Sequence, residues 1–471
     1  MTPIIVWLRQ DLRLADNAAL HAAAASGQPV VPLFIWDPEP AWGAGGATQW
    51  WLEGSLRALA LDLAKRGAPL VLRKGKAAEV VDAVIAETGA TAVHWNRCYE
   101  PAAIARDKAI KADLRERGIA VETFAASVLF EPWTLQTKTG GPYRVFTPFY
   151  NATRAIAPRA PLPAPRKLTG VKIAGDDLAS WGLRPTKPDW AGGLRETWTP
   201  GEAAARKQLT HFLDEIAAAY HHTRDVPGVL GTSRLSPYLH FGEISPHQIW
   251  AAAGAREPNS GIVSFQREVV WREFSTHLLY HFPHMPTKPL RPAFARFPWR
   301  RDKRALSAWQ RGMTGYPIVD AGMRELWHTG WMHNRVRMIV ASFLVKHLLL
   351  PWQDGEAWFW DTLVDADLAN NAASWQWVAG CGMDAAPYFR IFNPMLQGAK
   401  FDAEGAYVRR WVPEIGGLPN EYLHTPWEAP ALDLAAAGVV LGKTYPRPIV
   451  DHAAARARAL TALKEISASD P

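Results

Sequence analysis

The sequence predicts an N-terminal α/β domain with a doubly wound parallel sheet and a larger C-terminal all-α domain, joined by a long interdomain connection. Over the first 130 residues, short apolar runs alternate with helical segments. A stretch rich in proline, glycine and lysine follows, and helical spacing dominates after Gly201. Alternation of strands and helices at this pitch is typical of a parallel sheet. The predicted boundaries are residues 1–130, 131–200 and 201–471.

The strands of the N-terminal domain are predicted from runs rich in β-branched residues, Ile4–Leu8, Val30–Trp36, Leu70–Arg73 and Ala92–Trp95. Between them, Ser55–Lys65 and Ala77–Glu87 have helical spacing. Ligands of such sheets bind at the carboxyl ends of the strands. The sheet lacks a dinucleotide-binding glycine motif, because Gly43–Gly46 misses the third glycine and is interpreted as a loop.

The C-terminal domain is predicted to be helical. Residues 157–200 lack periodicity and predict a long connection. The apolar spacing that follows predicts helices over Glu202–Tyr220, Ser264–Tyr280, Thr314–Thr329, Trp331–Leu350 and Trp358–Leu363.

Composition narrows the class of protein. The two cysteines, Cys98 and Cys381, lie far apart, which argues against a disulfide framework or a zinc cluster. No run of about 18 uncharged apolar residues suggests a membrane span. The segment Met1–Trp7 is predicted to be a strand rather than a signal peptide. We therefore expect a soluble, cytoplasmic protein without a membrane partner.

Positive charge is concentrated in the C-terminal part. The net charge is +7, and residues 1–130 are neutral with 14 basic and 14 acidic side chains. The densest patch, in residues 286–311, has Asp302 as its one acid. A patch of this kind is compatible with phosphate binding and equally with a solvated surface. Its cations are Lys288, Arg291, Arg296, Arg300, Arg301, Lys303, Arg304 and Arg311.

Tryptophan is unusually frequent, with 23 residues in 471. Most indoles are expected in the core, since each buries a large apolar area. The surplus also fits stacking or redox-active rings.

Two segments combine polar residues with predicted helices. The glycine-led turn Gly231–Pro237 fits a phosphate site or a capped helix start. Farther along, Glu268, Trp271 and Arg272 share one helical face, which indicates either a pocket or an exposed amphipathic face.

Two later segments repeat the theme. Asn334 and Met338 lie on one helical face with Arg335 beside them, which suggests a ligand pocket or salt bridges. The acids Asp365 and Asp367 suit magnesium, sugar hydroxyls or a helix cap. If helical, Trp375 and Trp377 point about 200° apart, so that one can face protein and the other a pocket.

A metal site is not predicted. His277, His281 and His284 lack the glutamate of zinc proteases, and Pro283 interrupts the helix before the third histidine.

Taken together, these segments resemble the photolyase/cryptochrome family, and especially its bacterial cyclobutane pyrimidine dimer enzymes. The likeness runs almost end to end, from Val6–Arg13 to Tyr445–Val450. Its most specific stretches are Gly231–Leu235, Trp271–Phe274, Thr314–Ala321, Gly330–Arg335 and Asp365–Trp377.

The resemblance implies a U-shaped FAD in the helical domain. Asn371 matches the position that faces flavin N5, where plant cryptochromes have Asp and where Asn favours the fully reducible flavin that repair needs. The other matching FAD contacts are Tyr220, Thr232, Ser233, Leu235, Ser236, Arg272, Asn334, Asp365 and Asp367.

The resemblance also implies that the enzyme binds UV-damaged DNA as a monomer and repairs it in blue light with FADH⁻ as electron donor. Glu268 matches the acid that binds the lesion, and Trp271 and Trp377 match the indoles that hold the flipped bases. Asn334 and Met338 match pocket positions, and (6-4) photolyases have His in place of Met338. Arg224, Arg335, Arg390 and Lys400 match DNA-facing cations.

Three tryptophans match the family's electron-transfer wire from the flavin to the surface, namely Trp375, Trp352 and Trp299. An antenna is expected to be methenyltetrahydrofolate or, as second choice, 8-hydroxydeazaflavin. The folate anchors that often follow Tyr99-Glu100 in the family are absent, and the resemblance to some relatives suggests an alternative antenna site at Glu39, Trp42 and Gly43–Gln49.

Three other functions stay open. A cryptochrome-like photoreceptor shares the fold but usually has a C-terminal extension, whereas this chain continues about 20 residues beyond Val450. A (6-4) photolyase differs in its lesion. A plain flavin oxidoreductase requires a nicotinamide site, for which the sequence gives no signal.

Overall fold

The computed structural model describes residues 1–37, 42–384 and 389–467. The chain folds into two compact units, each assembled from separate stretches of sequence. The first unit comprises Met1–Ala217, Ser233–Pro283 and Val364–Asp367. The second unit comprises Ala218–Thr232, His284–Leu363 and Leu368–Pro471. The chain passes between the units several times, and the domain boundaries expected at residues 130 and 200 stay predictions.

A five-stranded parallel sheet forms the centre of the N-terminal part, as predicted. The strand order is β3-β2-β1-β4-β5, so the chain winds outward from β1 and then from β4. The fifth strand was not predicted from the sequence. The strands are β1 Ile4–Leu8, β2 Val30–Trp36, β3 Val71–Lys74, β4 Ala92–Asn96 and β5 Ala120–Phe124.

Twenty-one α-helices surround or follow the sheet within the described ranges. The first eleven are α1 Ala18–Ala25, α2 Gly46–Arg66, α3 Ala77–Thr88, α4 Pro101–Glu116, α5 Phe146–Thr153, α6 Gly192–Thr197, α7 Glu202–His211, α8 Tyr220–Thr223, α9 Ser236–His240, α10 Pro246–Gly254 and α11 Ser260–His281. The others are α12 Lys303–Gln310, α13 Pro317–Thr329, α14 Asn334–Ser342, α15 Trp352–Thr362, α16 Leu368–Ala379, α17 Pro394–Phe401, α18 Ala406–Trp411, α19 Asn420–Leu423, α20 Ala431–Ala436 and α21 His452–Ser467.

The sheet core is built from the β-branched residues that predicted the strands. Ile5, Val31, Val93 and other strand residues are fully buried between the helices. At the carboxyl ends of β1 and β4, Trp7 and Trp95 meet edge to face with ring centroids 5.6 Å apart. Burial of these side chains removes apolar surface from water and stabilises the N-terminal layer.

Two predicted helices are shorter than their apolar spacing suggested. The segment Trp331–Leu350 was expected to form one helix, but α14 begins only at Asn334. The side chain of His333 accepts a hydrogen bond from the Arg335 amide at 3.2 Å and caps the helix there. After Ser342 the chain winds as a π-helical turn over Phe343–His347. The expected helix Glu202–Tyr220 likewise changes to a π-helical turn over Phe212–Ile216.

Across the described ranges, no helix combines the length and the apolar character needed to span a bilayer.

Candidate active site

The glycine-led turn before α9 is shaped by close backbone packing. A side chain at Gly231 would meet the carbonyl oxygen of Thr223 at 2.6 Å, so this position accepts only glycine. Arg234 adopts a left-handed conformation with φ of 51°. The predicted FAD contacts around the turn are buried or half-buried, except for Ser236, which is exposed at the start of α9. They are Tyr220, Thr232, Ser233 and Leu235.

In the first unit, polar side chains from α9, α11 and the segment before α16 come together. Ser236 Oγ donates to Asp365 Oδ2 at 2.6 Å. His240 lies in the field of Asp365, Asp367 and Arg272. Burial lowers the pKa of His240, and the two carboxylates oppose this effect. Its Nδ1 is buried and has no hydrogen-bond partner among the described residues.

The structure therefore brings together four of the predicted FAD contacts, Ser236, Arg272, Asp365 and Asp367. It adds His240, which sequence reasoning missed. A histidine gives no sequence signal of its own, because its role here depends on carboxylates more than 120 positions away.

Arg272 also has a structural partner. Its guanidinium pairs with Glu273 Oε1 at 3.1 Å, and the other carboxylate oxygen of Glu273 accepts from the Leu129 amide at 2.6 Å. Burial raises the pKa of Glu273 to about 7, although Arg272 and the backbone donors lower it. Arg272 is half-buried on α11.

Glu268 and Trp271 lie on α11, as predicted. Both side chains are half-buried. The indole of Trp271 lies face to face on Phe146 of α5, with ring centroids 3.6 Å apart and planes 5° apart. One face of the indole is thus covered by protein.

In the second unit, Asn371 is buried on α16. Its Nδ2 donates to the main-chain carbonyl of Glu356 at 3.1 Å. The carboxyl group of Glu356 is itself buried, and burial raises its pKa to about 9. Its Oε1 has no hydrogen-bond partner in the part of the chain that the structure describes. Glu356 was not predicted as a site residue.

The pocket positions on α14 differ in exposure. Asn334 is exposed and Met338 is half-buried. Arg335 lies between them, and its guanidinium is 3.8 Å from the Met338 sulfur and 2.9 Å from Asp225. Arg335 thus forms the kind of salt bridge that was one of the two explanations for its charge, and its DNA-facing role stays a prediction.

The two tryptophans on α16 differ in exposure. Trp375 is buried and Trp377 is half-buried. The ring neighbours of Trp375 include Phe359 at 5.0 Å and Trp309 at 6.3 Å. Trp352 is also buried and Trp299 is half-buried, so the residue at the surface end of the predicted wire is the most exposed of the three. The assignment of these residues to electron transfer stays a prediction.

The predicted DNA-facing cations all belong to the second unit and lie on aromatic rings. Arg335 and Lys400 share the ring of Phe401, at 4.5 and 5.2 Å from its centre. Arg224 lies over Tyr220 at 5.5 Å, and Arg390 lies over Phe392 at 4.8 Å. The cations of the basic patch in residues 286–311 are all exposed.

The alternative antenna segment is only partly described. Trp42 and the turn before α2 are present, and Gln49 Nε2 donates to the Ala44 carbonyl at 2.7 Å. Glu39 lies outside the described residues. Among residues 1–37, 42–384 and 389–467, no group of three His, Cys, Asp or Glu side chains is arranged to hold a metal ion.

Comparisons with known proteins find similarity over nearly the whole chain. Residues 4–166 match the family model described as DNA photolyase, and residues 265–465 match the model described as FAD binding domain of DNA photolyase. The deoxyribodipyrimidine photo-lyase of Agrobacterium fabrum is 54% identical over 98% of this chain and 97% of the relative. Cryptochrome-1 of Arabidopsis thaliana is 39% identical over 98% of this chain and 70% of the relative.

A solved structure has the same fold. The crystal structure of a bacterial class III photolyase from Agrobacterium tumefaciens superposes with a TM-score of 0.97 at 53% identity, and the match covers 99% of this chain and 98% of the other.

Proposed function

This chain belongs to the photolyase/cryptochrome family, and we propose that it is a light-driven enzyme that splits cyclobutane pyrimidine dimers in DNA by electron transfer from reduced FAD. The observation that carries the proposal is the likeness to the Agrobacterium fabrum photo-lyase, at 54% identity over nearly the full length of both chains. Cryptochrome-1 of Arabidopsis is less similar, and this chain covers less of its length.

The residues in the first unit fit FAD. Asp365 and Asp367 offer acceptors for sugar hydroxyls, and Ser236 holds Asp365 in place. The buried Nδ1 of His240 lacks a protein partner in the described residues, which is expected where a bound group supplies one. Ser233 and Leu235 lie in a turn of the kind that binds phosphates. Thr232, which belongs to the second unit, is proposed as a further FAD contact.

In the second unit, Asn371 presents an amide of fixed orientation. Because Nδ2 is bonded to the Glu356 carbonyl, Oδ1 is the end that accepts a hydrogen bond from a cofactor N–H. Tyr220 and Asn334 are proposed as further contacts. When bound and excited by light, FADH⁻ supplies the electron that opens the dimer.

The protein positions the lesion and stabilises its charge. Extrusion of a damaged pair costs less than extrusion of intact bases, because the damaged pair stacks poorly. Trp271, with one face fixed on Phe146, and Trp377 are proposed to hold the flipped bases, and Met338 to line the pocket. Glu268 donates a hydrogen bond toward the developing anion.

Cations bind the flanking phosphates. Arg224, Arg335, Arg390 and Lys400 are proposed to bind the DNA backbone, which makes affinity depend on salt. Trp375, Trp352 and Trp299 are proposed to carry electrons to oxidised FAD, so that the enzyme can be reactivated by light.

The remaining parts of the proposal concern the antenna and the setting. We propose methenyltetrahydrofolate as antenna and 8-hydroxydeazaflavin as the second choice, and an absorption spectrum of the purified protein separates the two. We propose that the enzyme acts on UV-damaged DNA in the cytoplasm. We propose that it acts as a monomer.

A photoreceptor is the second candidate, because 39% identity links the chain to a plant cryptochrome. Asn371 favours repair over this alternative. The test gives chemically reduced protein an oligonucleotide with a thymine dimer or with a (6-4) lesion, in light and in darkness, and separates the products by chromatography. We expect light-dependent loss of the dimer alone. Loss of the (6-4) lesion alone, or of neither lesion, contradicts the proposal.

A further inference from the structure

Trp271 belongs to a row of three stacked rings in the first unit, which we call the aromatic row. Trp271 lies on Phe146 with centroids 3.6 Å apart, and Phe146 lies on Tyr150 with centroids 5.8 Å apart and planes 17° apart. Phe146 is buried, whereas Trp271 and Tyr150 are half-buried. The aromatic row thus connects two partly exposed rings through a buried one.

Arg267 lies along the aromatic row. Its guanidinium carbon is 5.5 Å from the ring centre of Phe146 and 5.7 Å from that of Tyr150. Cation–π attraction to these rings restricts the long side chain. Because Arg267 and Trp271 are four residues apart in α11, they also lie on the same face of that helix. The cation is therefore held on the Trp271 side of α11.

Arg267 is exposed, and it pairs with no carboxylate among residues 1–37, 42–384 and 389–467. Glu268 follows it directly but points about 100° away around the helix. Arg256 of the same unit, by contrast, is bound to Asp214 at 2.6 Å. A guanidinium that is ordered by rings and lacks an acidic partner keeps its forked donors for an external anion.

We propose that Arg267 binds a backbone phosphate of the damaged strand beside the lesion, so that the first unit also contributes a phosphate contact. This inference rests on the proposed function, because a DNA strand is the occupant on the Trp271 side. The forked guanidinium matches phosphate oxygens in pairs, and its prior ordering reduces the entropy lost on binding. The four cations proposed above all lie in the second unit, so Arg267 adds a contact that they do not supply.

The experiment measures binding of a single-stranded oligonucleotide with one thymine dimer by fluorescence anisotropy at several KCl concentrations. For Arg267→Gln, we expect the slope of log K against log salt to become shallower by about 0.7, the share of one phosphate contact on a single strand. If the two proteins bind equally at 1 M KCl, this difference in slope makes Arg267→Gln bind about fivefold more weakly than wild type at 0.1 M KCl. Arg267→Lys keeps the charge and is expected to keep the wild-type slope. Its affinity is expected to lie between those of wild type and Arg267→Gln.

The matched control is Arg117→Gln, which removes an exposed arginine that follows α4 and pairs with Asp82 and Asp113, and this variant is expected to bind like wild type. At saturating DNA, Arg267→Gln is expected to repair as efficiently as wild type. An unchanged salt slope for Arg267→Gln, or a repair defect that persists at saturation, overturns this inference and leaves the proposed function intact. Failure of the wild-type protein to repair the dimer overturns the proposed function instead.

Discussion

The amide nitrogen of Asn371 lies 3.1 Å from the main-chain carbonyl oxygen of Glu356 and donates a hydrogen bond to it. Since Glu356 belongs to α15 and Asn371 to α16, this bond links the two helices within the second unit. It also fixes which end of the amide can accept. The residue that the family resemblance places opposite flavin N5 is therefore oriented by the protein itself.

Asn371→Asp is expected to reduce the extent of flavin photoreduction. A carboxylate at this position would face the Glu356 carbonyl oxygen in a buried site, so the variant would keep a proton to avoid the repulsion. The single O–H of this acid can bond to the Glu356 carbonyl or turn to donate toward the flavin, whereas the amide of Asn371 can only accept there. Absorption spectra during illumination measure the outcome, and Asn370→Asp serves as control. Complete reduction of Asn371→Asp at the wild-type rate would contradict this role.

Glu268→Ala is expected to lower the repair quantum yield and to leave FAD content unchanged. A hydrogen bond to a charged group contributes about 1.5–3 kcal/mol, and its loss favours electron return over ring opening by about tenfold or more. Single-turnover illumination of prereduced protein measures the yield. Glu268→Gln retains a hydrogen-bond donor, and its quantum yield is expected to lie between those of wild type and Glu268→Ala. The same yield in all three proteins would refute the assignment.

Trp299→Phe is expected to block photoreduction of oxidised FAD while prereduced protein still repairs DNA. Phenylalanine keeps the apolar ring but is far harder to oxidise than an indole. Trp327→Phe is the matched control, because Trp327 is 57% exposed and stacks on Trp358 outside the proposed wire. Normal photoreduction in Trp299→Phe would remove this residue from the wire.

His277 predicts a dependence of stability on pH. The Tyr143 amide donates to its Nε2 at 3.1 Å, and its Nδ1 lies 3.1 Å from the Pro132 carbonyl. Burial, together with the charge of His281, lowers the pKa of His277 from 6.5 to about 4. The unfolded chain therefore binds the proton first, and stability is lost as pH falls from 6.5 toward 4.

By pH 5 the loss from this one group amounts to about 2 kcal/mol relative to pH 7. His277→Gln can keep both hydrogen bonds but does not titrate. We expect the fall in the free energy of unfolding between pH 7 and pH 5, measured by urea denaturation, to be smaller by that amount in the variant. An equal fall in both proteins would show that His277 takes up its proton without cost.

Local sequence patterns predicted most of the sheet. Four of the five strands follow from β-branched runs, whereas β5, Ala120–Phe124, was missed because it carries Glu122 and is only partly buried. The prediction of one long helix over Trp331–Leu350 was wrong for a different reason. A histidine cap at residue 333 and a π-helical turn after Ser342 depend on hydrogen bonds that apolar spacing does not record.

The residues of the candidate site also fall into those that local sequence predicts and those that it does not. Glu268, Trp271 and Arg272 were found because they share one turn of one helix. Phe146 and His240 were missed, because their neighbours Trp271 and Asp365 lie 125 positions farther along the chain. Such contacts are created by tertiary packing, and a single sequence without the fold gives no signal for them.

The most direct test of the account follows the recovery of base-band absorbance when a catalytic amount of reduced protein is illuminated with a thymine-dimer oligonucleotide. We predict recovery beyond one dimer per protein molecule, in light only, with a wavelength dependence that follows the absorption of the bound chromophores. No recovery in light from protein that holds reduced FAD and binds the oligonucleotide would contradict the account.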